Sequence, residues 1–579
     1  MEYDALAGPN ETVMSFNFSR TSTAAAVSAA LLASLAVSPV SAMSLSNNGL
    51  GDVGISAYYS VRQNYQTYIS LVNTSDTYVV AVKLRFHEAA NSRDARDFNI
   101  FLSPNDVWVG LVGLNADGKT PYIQTSDTSC TAPNKFPAGT ANTAANRARG
   151  FVVIGKASTG ADIKQMDFTA ADYTGANQDT TASPLPYPSA QNIVRTQEGY
   201  IEVIEMGVAL PRSTINPAAS TLAAGAVHVN GAAPTGCETI IGVYNGSLPV
   251  TVTGSTASAA SGLTLECNLD TTAAIGDLVF EDVAFQAEFC EPLNVLKVAS
   301  NMVRANTGQN FGVPVTTVAD FVSPGTDLAA NFTESQLAPD PADVMAQPSS
   351  PFPNLNSGSP SLSVQTPSDG ALLALGLFIR PVDAVGSLLT ATSVINEYRA
   401  VASGAPQTGW VVTFPTKAFY VDNGANDPVG SNFGGKQGLG VLDPFEEEFD
   451  FVTGGSCVTV ALEYYNREEK RTIGSVPPSP FVPGQSAICH ETQTLNFSKA
   501  GVTLGSQFNS AFALEPGYTQ GWARLSFPLA GSISSLTGAT YSGLPTTGFA
   551  LTSITNGSVS TAGYVSPHAY DRPIAVPAP

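Results

Sequence analysis

The sequence predicts a mostly β fold: antiparallel sandwich-like domains with long surface loops and one or two short helices. Three observations predict it. Apolar and polar residues alternate with a period of two in many short runs. Clusters of Asn, Asp, Gly, Pro and Ser separate those runs. Helical periodicity is confined to a few places. Many short strands joined by polar turns argue for sandwiches rather than α/β units.

In Val80-Ala81-Val82-Lys83-Leu84-Arg85-Phe86-His87 the even positions are apolar and most odd ones polar. That pattern predicts a strand with one buried face. Tyr65–Asn73, Phe98–Leu102, Val107–Val112, Phe151–Ile154 and Tyr200–Met206 read similarly. So do Ile240–Tyr244, Leu278–Phe289, Trp410–Tyr420, Cys457–Tyr464 and Ala523–Phe527. Turn chemistry falls between them, as in Asn73-Thr74-Ser75-Asp76, Asn115-Ala116-Asp117-Gly118 and Asn245-Gly246. The best helix candidate is Pro381–Ala400, with Val382, Val385, Leu388, Leu389 and Ile395 on one face.

Long loops are expected at Thr131–Gly150, Leu210–Gly236 and the Pro-rich Ser475–Gln485. Residues 323–370, rich in Pro and Ser, read as a linker or insertion between an N-terminal β region (43–322) and a C-terminal β region (371–579). Residues 1–42 read as a leader and signal peptide. Arg20 supplies the positive start, Ala24–Val37 the short apolar stretch, and Val40-Ser41-Ala42 the cleavage pattern. Translation from Met14 rather than Met1 would remove an acidic leader that is unusual before such a signal. Export to the cell surface or medium is expected, with the periplasm as the other compartment.

Composition narrows the function classes. The 579 residues carry a net charge of -21, a charged fraction of 13% and a hydrophobic fraction of 43%. Acidity on this scale disfavours phosphate backbones, so nucleic-acid binding is not expected. The apolar and aromatic content excludes a wholly disordered chain. After the signal no apolar run is long enough for a membrane-spanning helix. The cysteines are six: Cys130, Cys237, Cys267, Cys290, Cys457 and Cys489. An even count after a signal implies disulfides. Cys457 with Cys489 is the preferred pair, because no other cysteine lies in that region; the four upstream cysteines pair among themselves in an order the sequence leaves open.

Residues 113–120 match the phosphate-loop pattern G-x4-G-K-[ST]. Such a loop must open a helix. Pro121 and the strand-like Tyr122-Ile123-Gln124 follow instead, so a hairpin turn is expected. Gly430–Gln437 is a weaker match. The four histidines, His87, His228, His490 and His568, are scattered, with no zinc-hydrolase helix motif and no G-x-S-x-G elbow. A Ser-His-Asp triad dispersed along the chain stays open.

Carboxylates are the main polar site-builders. Residues 443–450 hold five acids. In an extended chain Glu446, Glu448 and Asp450 share one face at ~7 Å steps. Such like charges need a cation or full solvation. The reading is a calcium site made by Asp443, Glu446, Glu448 and Asp450, or a solvated acidic loop; calcium is the only cofactor implied. Asp422–Asp427 is a second oxygen-rich turn without the spacing of an EF-hand loop. Glu198 and Glu202 share a strand face ~13 Å apart, beyond the separation of a glycosidase pair. Tyr58, Tyr59, Tyr65 and Trp108 make either a sugar-binding surface or core. Asn73, Asn245, Asn331, Asn496 and Asn556 lie in glycosylation sequons.

Several blocks resemble a group of uncharacterised large exported proteins of Gram-negative bacteria. They include Gly49-Leu50-Gly51-Asp52, Leu71–Asp76, Val82–Phe86, Asn91-Ser92-Arg93, Asp97-Phe98-Asn99 and Leu102–Trp108. Glu198–Gly207, Trp410–Lys417, Gly543-Leu544-Pro545 and Gly548-Phe549-Ala550 extend the resemblance across the chain. It implies a bacterial, exported origin and supplies no catalytic residues. The leading expectation is a non-enzymatic extracellular surface protein, structural or adhesive: a surface-layer, matrix or filament component partnered by itself or by other surface molecules. Alternatives are a secreted carbohydrate-binding or carbohydrate-degrading protein, and a periplasmic or surface ligand-binding protein.

Overall fold

The computed structural model describes residues 42–132, 136–137, 139–169, 192–209, 211, 221–238, 292–321, 354–358, 362–365, 374–400, 407–421, 441–449, 455–478, 486–497, 504–512, 514–556 and 560–576. Ala42–Pro579 make one compact unit. The fold is mostly β, in several sheets that are antiparallel apart from the pair Thr492–Asn496 and Asn509–Ala511.

The first half contains two sheets. Its strands are Ser44–Leu45 (β1), Leu50–Gly51 (β2), Val53–Ser60 (β3), Tyr65–Asn73 (β4) and Val79–Glu88 (β5). Asp94–Leu102 (β6), Val107–Leu114 (β7), Pro121–Thr125 (β8), Cys130–Ala132 (β9) and Val152–Lys156 (β10) follow. Asp162–Asp167 (β11), Glu198–Ala209 (β12), Leu296–Arg304 (β13), Gln309–Val313 (β14) and Val315–Ala319 (β15) complete the set. One sheet runs β1-β15-β3-β12-β5-β6-β9, the other β10-β11-β8-β7-β4-β13-β14, with β2 beside β13. Val82, Leu84 and Phe86 of β5 meet Ile69, Leu71, Trp108 and Ile123 of the facing sheet in one apolar core. Each such side chain contributes roughly 1.5–3 kcal/mol of burial.

The second half is built around two five-stranded sheets. One orders Arg471–Gly474, Ala461–Asn466, Gln520–Ser526, Ser393–Arg399 and Ala569–Asp571. The other orders Asn509–Ala511, Thr492–Asn496, Gln407–Thr413, Thr547–Asn556 and Ser560–Pro567. Its core is continuous with the first half: Val53, Ile55, Ala81, Ile204 and Met206 pack in one cluster with Val385, Leu388, Trp410 and Phe414. Among the described residues no helix is long and apolar enough to cross a membrane, which says nothing of a crossing made by strands.

Several elements depart from the sequence reading. The helix is Pro381–Leu389, and Ser393–Arg399 is a strand. Beyond Leu389 the period changes to two, with Val394, Asn396 and Tyr398 buried on one face. Trp410–Tyr420 divides into the strand Gln407–Thr413 and a short helix, Ala418–Val421. The largest departure is β5, expected to bury one face. All ten of its residues are buried, because the second half covers its polar face. The segments 1–41, Ile240–Tyr244, Leu278–Phe289, Asp422–Asp427 and Gly430–Gln437 lie outside the described residues, as do Cys267, Cys290 and Asp450.

Cys457 is bonded to Cys489, and Cys130 to Cys237. Residues 113–120 form the expected hairpin between β7 and β8. The Asp117 carboxylate accepts from the Lys119 and Thr120 amides at 2.8 and 2.9 Å. Gly118 takes a φ of +67°, which suits a residue without Cβ.

Candidate functional site

The polar face of the sheet that holds β5, β6 and β12 gathers several titratable groups. Lys83, Arg85 and His87 stand at alternate positions of β5, beside Asp94 and Asp97 of β6 and Glu202 of β12. Arg85 donates to Asp94 at 2.5 Å and lies 3.7 Å from Glu202. His87 lies 3.4 Å from Asp94 through Nδ1 and 3.5 Å from Glu202 through Nε2. Arg85 and His87 thus bracket the same two carboxylates, closing a four-membered ring. Lys83 pairs with Asp97. Burial pulls the Arg85 guanidinium down, but Asp94, Glu202 and Asp97 outweigh it and hold it above the usual range. Burial pushes the Asp97 carboxyl up, against the pull of Lys83.

Tyr200 seals this cluster. Its ring stacks on His87 with centroids 4.8 Å apart, and its hydroxyl lies 3.1 Å from the Pro415 carbonyl oxygen. Nearby, Glu198 accepts from the Tyr58 hydroxyl and from the Gln507 amide, both at 2.8 Å. The Thr492 amide donates to Ala89 at 3.0 Å. The cluster is therefore an internal seam between the halves, its charges paired and withdrawn from solvent.

The remaining acids of β12 and those of the acidic loop are also engaged. Glu198, Glu202 and Glu205 are all buried. Glu205 accepts from the amides of Leu293, Val295 and Leu296 at 2.8, 3.1 and 3.2 Å, joining β12 to the start of β13. Burial pushes its carboxyl up to about 7 against those amides. In the acidic loop, Glu446 accepts from the Thr459 amide and hydroxyl at 3.0 and 2.9 Å, and Glu447 from the Cys457 amide at 3.2 Å. Asp443 is exposed and Glu448 half-buried. Among the described residues no three His, Cys, Asp or Glu side chains are grouped to hold a metal ion.

The sequence reading missed the cation that faces this loop. Lys417 is buried, with its ammonium 3.4 Å from the Cys489 carbonyl oxygen and bonded also to that of Ser456. Burial lowers it to about 8, while Glu491, Glu447 and Glu446 pull it back up. Tyr58, Tyr59, Tyr65 and Trp108 are core residues, and Asn73 and Asn496 are buried too.

A second cluster, in the first half, meets solvent beside a cleft. Three distant segments converge there. The β6–β7 turn supplies Ser103 and Asp106, with Asn105 at a φ of +59°. The β8–β9 connection supplies Asp127, Thr128 and Ser129. His228 comes from residues 221–238, which the Cys130–Cys237 disulfide ties to β9. His228 Nε2 lies 2.9 Å from Thr128 Oγ1. Its Nδ1 lies 2.9 Å from Ser103 Oγ and 3.4 Å from Asp106 Oδ2. Ser103 donates to that same Asp106 oxygen at 3.2 Å.

Thr128 lines a cleft of about 190 Å³ shared with Asp127, Ser129, Asp162, Lys164 and Glu238. Burial pushes the Asp127 carboxyl up. No spacing motif marks this convergence, since the residues are separated by up to 125 positions. Comparison with protein-family models, curated proteins and solved structures finds no match.

Proposed function

We propose that the chain is an extracellular surface protein of a Gram-negative bacterium, structural or adhesive, which assembles with copies of itself. One observation carries this reading. The outer face of the second sheet presents Tyr68 on β4 and Val107 and Val109 on neighbouring β7, exposed by 36, 45 and 44%. Apolar groups clustered on a rigid sheet favour association. The internal seam and the two disulfides support it by making each unit stiff.

The test is electron microscopy of washed cells and of purified protein, with and without calcium. Ordered assemblies are expected, and Val109→Glu disperses them. A protein that stays monomeric and never appears at the surface overturns the reading. Assembly only with calcium would make the acidic loop its bridge.

A carbohydrate-binding reading has one observation of its own. Trp522 is 37% exposed and stacks on Tyr465 with centroids 4.2 Å apart, on a face that also carries Glu463 and Arg524. Aromatic faces beside planar polar groups suit sugar rings. A glycan array in which wild type and Trp522→Ala both bind nothing rejects it.

A further inference from the structure

We propose that Thr128, His228 and Asp106 form a nucleophilic relay that hydrolyses small acyl esters. The proposal is independent of the assembly reading. A hydroxyl nucleophile needs a base within hydrogen-bond reach and a third group orienting that base. Thr128 Oγ1 is 2.9 Å from His228 Nε2; Nδ1 is 2.9 Å from Ser103 Oγ, which links it to Asp106.

The hydrogen-bond order sets the tautomer. Ser103 has one hydroxyl proton and directs it to Asp106. Its oxygen therefore accepts from His228 Nδ1–H. That leaves Nε2 with its lone pair toward the Thr128 hydroxyl, the form in which imidazole acts as a general base.

Access supports the same assignment. Thr128 is exposed, and the His228 side chain is 20% exposed. The remaining histidines, His87, His490 and His568, are buried. The cleft beside Thr128 holds about 190 Å³. Liquid water occupies about 30 Å³ per molecule, so an acetyl to butyryl group fits. Lys164 lines this cleft together with Asp127, Asp162 and Glu238. The Cys130–Cys237 bond and the Asp127–Ser129 turn, closed by a 2.8 Å bond from the Ser129 amide, hold the parts in place.

The step balances without any added reagent. Thr128 Oγ1 bonds to the ester carbonyl carbon and passes its proton to His228 Nε2. The carbon–alkoxide bond breaks, and the alcohol leaves with that proton. Water then attacks the acyl-threonine with His228 again as base, releasing the acid and restoring the hydroxyl.

The test uses the purified full chain with p-nitrophenyl acetate and butyrate, and a fluorophosphonate probe located by peptide mass. Hydrolysis is expected, with the probe on the peptide containing Thr128. Thr128→Val keeps the shape and removes the hydroxyl, and should lower the rate by about 100-fold or more. Thr128→Ser should retain or raise the rate by relieving crowding at the nucleophile. His228→Gln should match Thr128→Val, and diethyl pyrocarbonate should inactivate wild type through His228. Hydrolysis no faster than buffer overturns the proposal. So does a Thr128→Val protein that melts like wild type and keeps its rate. Because Thr128 is exposed, that variant decides the matter even if His228→Gln fails to fold. Assembly seen by microscopy is read separately, so either reading can fail alone.

Discussion

The ammonium of Lys417 is buried 3.4 Å from the carbonyl oxygen of Cys489, whose sulfur closes a disulfide with Cys457. A lysine in this setting loses hydration that neighbouring acids only partly restore, and it is lowered to about 8. The folded chain therefore releases this proton before the unfolded chain, whose lysine titrates near 10.5. The full cost is present below pH 8 and is relieved as pH rises from 8 toward 10.5. Lys417→Met should flatten the stability profile over that interval, measured by urea unfolding at a series of pH values. A profile unchanged by the substitution contradicts the assignment.

His568 follows the same rule in a more acidic window. Its Nε2 lies 2.9 Å from the Val411 carbonyl, and its Nδ1 lies 3.0 Å from the Asn396 side-chain amide. Burial lowers it to about 4, against the pull of the Val411 carbonyl. On unfolding it regains an ordinary value near 6.5 and binds a proton. Its contribution is therefore complete above pH 6.5 and lost as pH falls toward 4, by about 3 kcal/mol in all. Thermal melts between pH 7 and 4 should show this loss, and His568→Asn should remove most of it.

Breaking the charged seam should cost more than any exposed ion pair. Glu202→Ala removes one of the two carboxylates that Arg85 and His87 share, in an interior that cannot rehydrate them. The expected loss is about 3–5 kcal/mol, read from denaturant midpoints. Half-buried Glu463 with exposed Arg471 is the control: its removal should barely move the midpoint.

Glu205 gathers three backbone amides. Glu205→Ala removes their acceptor, at about 1–3 kcal/mol for the buried Leu296 amide and less for the part-buried amides of Leu293 and Val295. Glu205→Gln keeps one oxygen and should fall between the two. Hydrogen exchange at Leu293, Val295 and Leu296 should accelerate in the same order.

The two disulfides close segments of 107 and 32 residues. Chain entropy favours the longer closure, with about 5 kcal/mol against about 4 kcal/mol. Replacing Cys130 and Cys237 by Ser should therefore lower the melting temperature more than replacing Cys457 and Cys489. It should also loosen His228 from Thr128, since the first bond holds both segments.

Much of the fold was legible because strand patterning is local. Tyr65–Asn73 has the bounds that its alternation predicts, and the 115–118 turn follows from its own residues. The helix is shorter than its pattern predicts because Ile395 fits both a helical and a strand spacing, and packing of Val394 and Tyr398 in the second-half core selects the strand. The candidate relay was not legible. Asp106, Thr128 and His228 sit in three turns or loops, and only chain crossings and a disulfide bring them together.

The sequence by itself determined where the chain extends, where it turns and that its acidity disfavours nucleic acid, because those depend on neighbouring residues and composition. It also singled out Cys457 and Cys489 as partners. Tertiary structure alone decided what the polar face of β5 meets. Alternation marks one face of a strand as apolar, but Lys83, Arg85 and His87 read the same whether they face water or opposing carboxylates. Asp94, Asp97 and Glu202 come from other strands, and the second half lies over them. Only that arrangement replaces the lost hydration of the charges, and so turns a face that reads as exposed into the interior seam of the molecule.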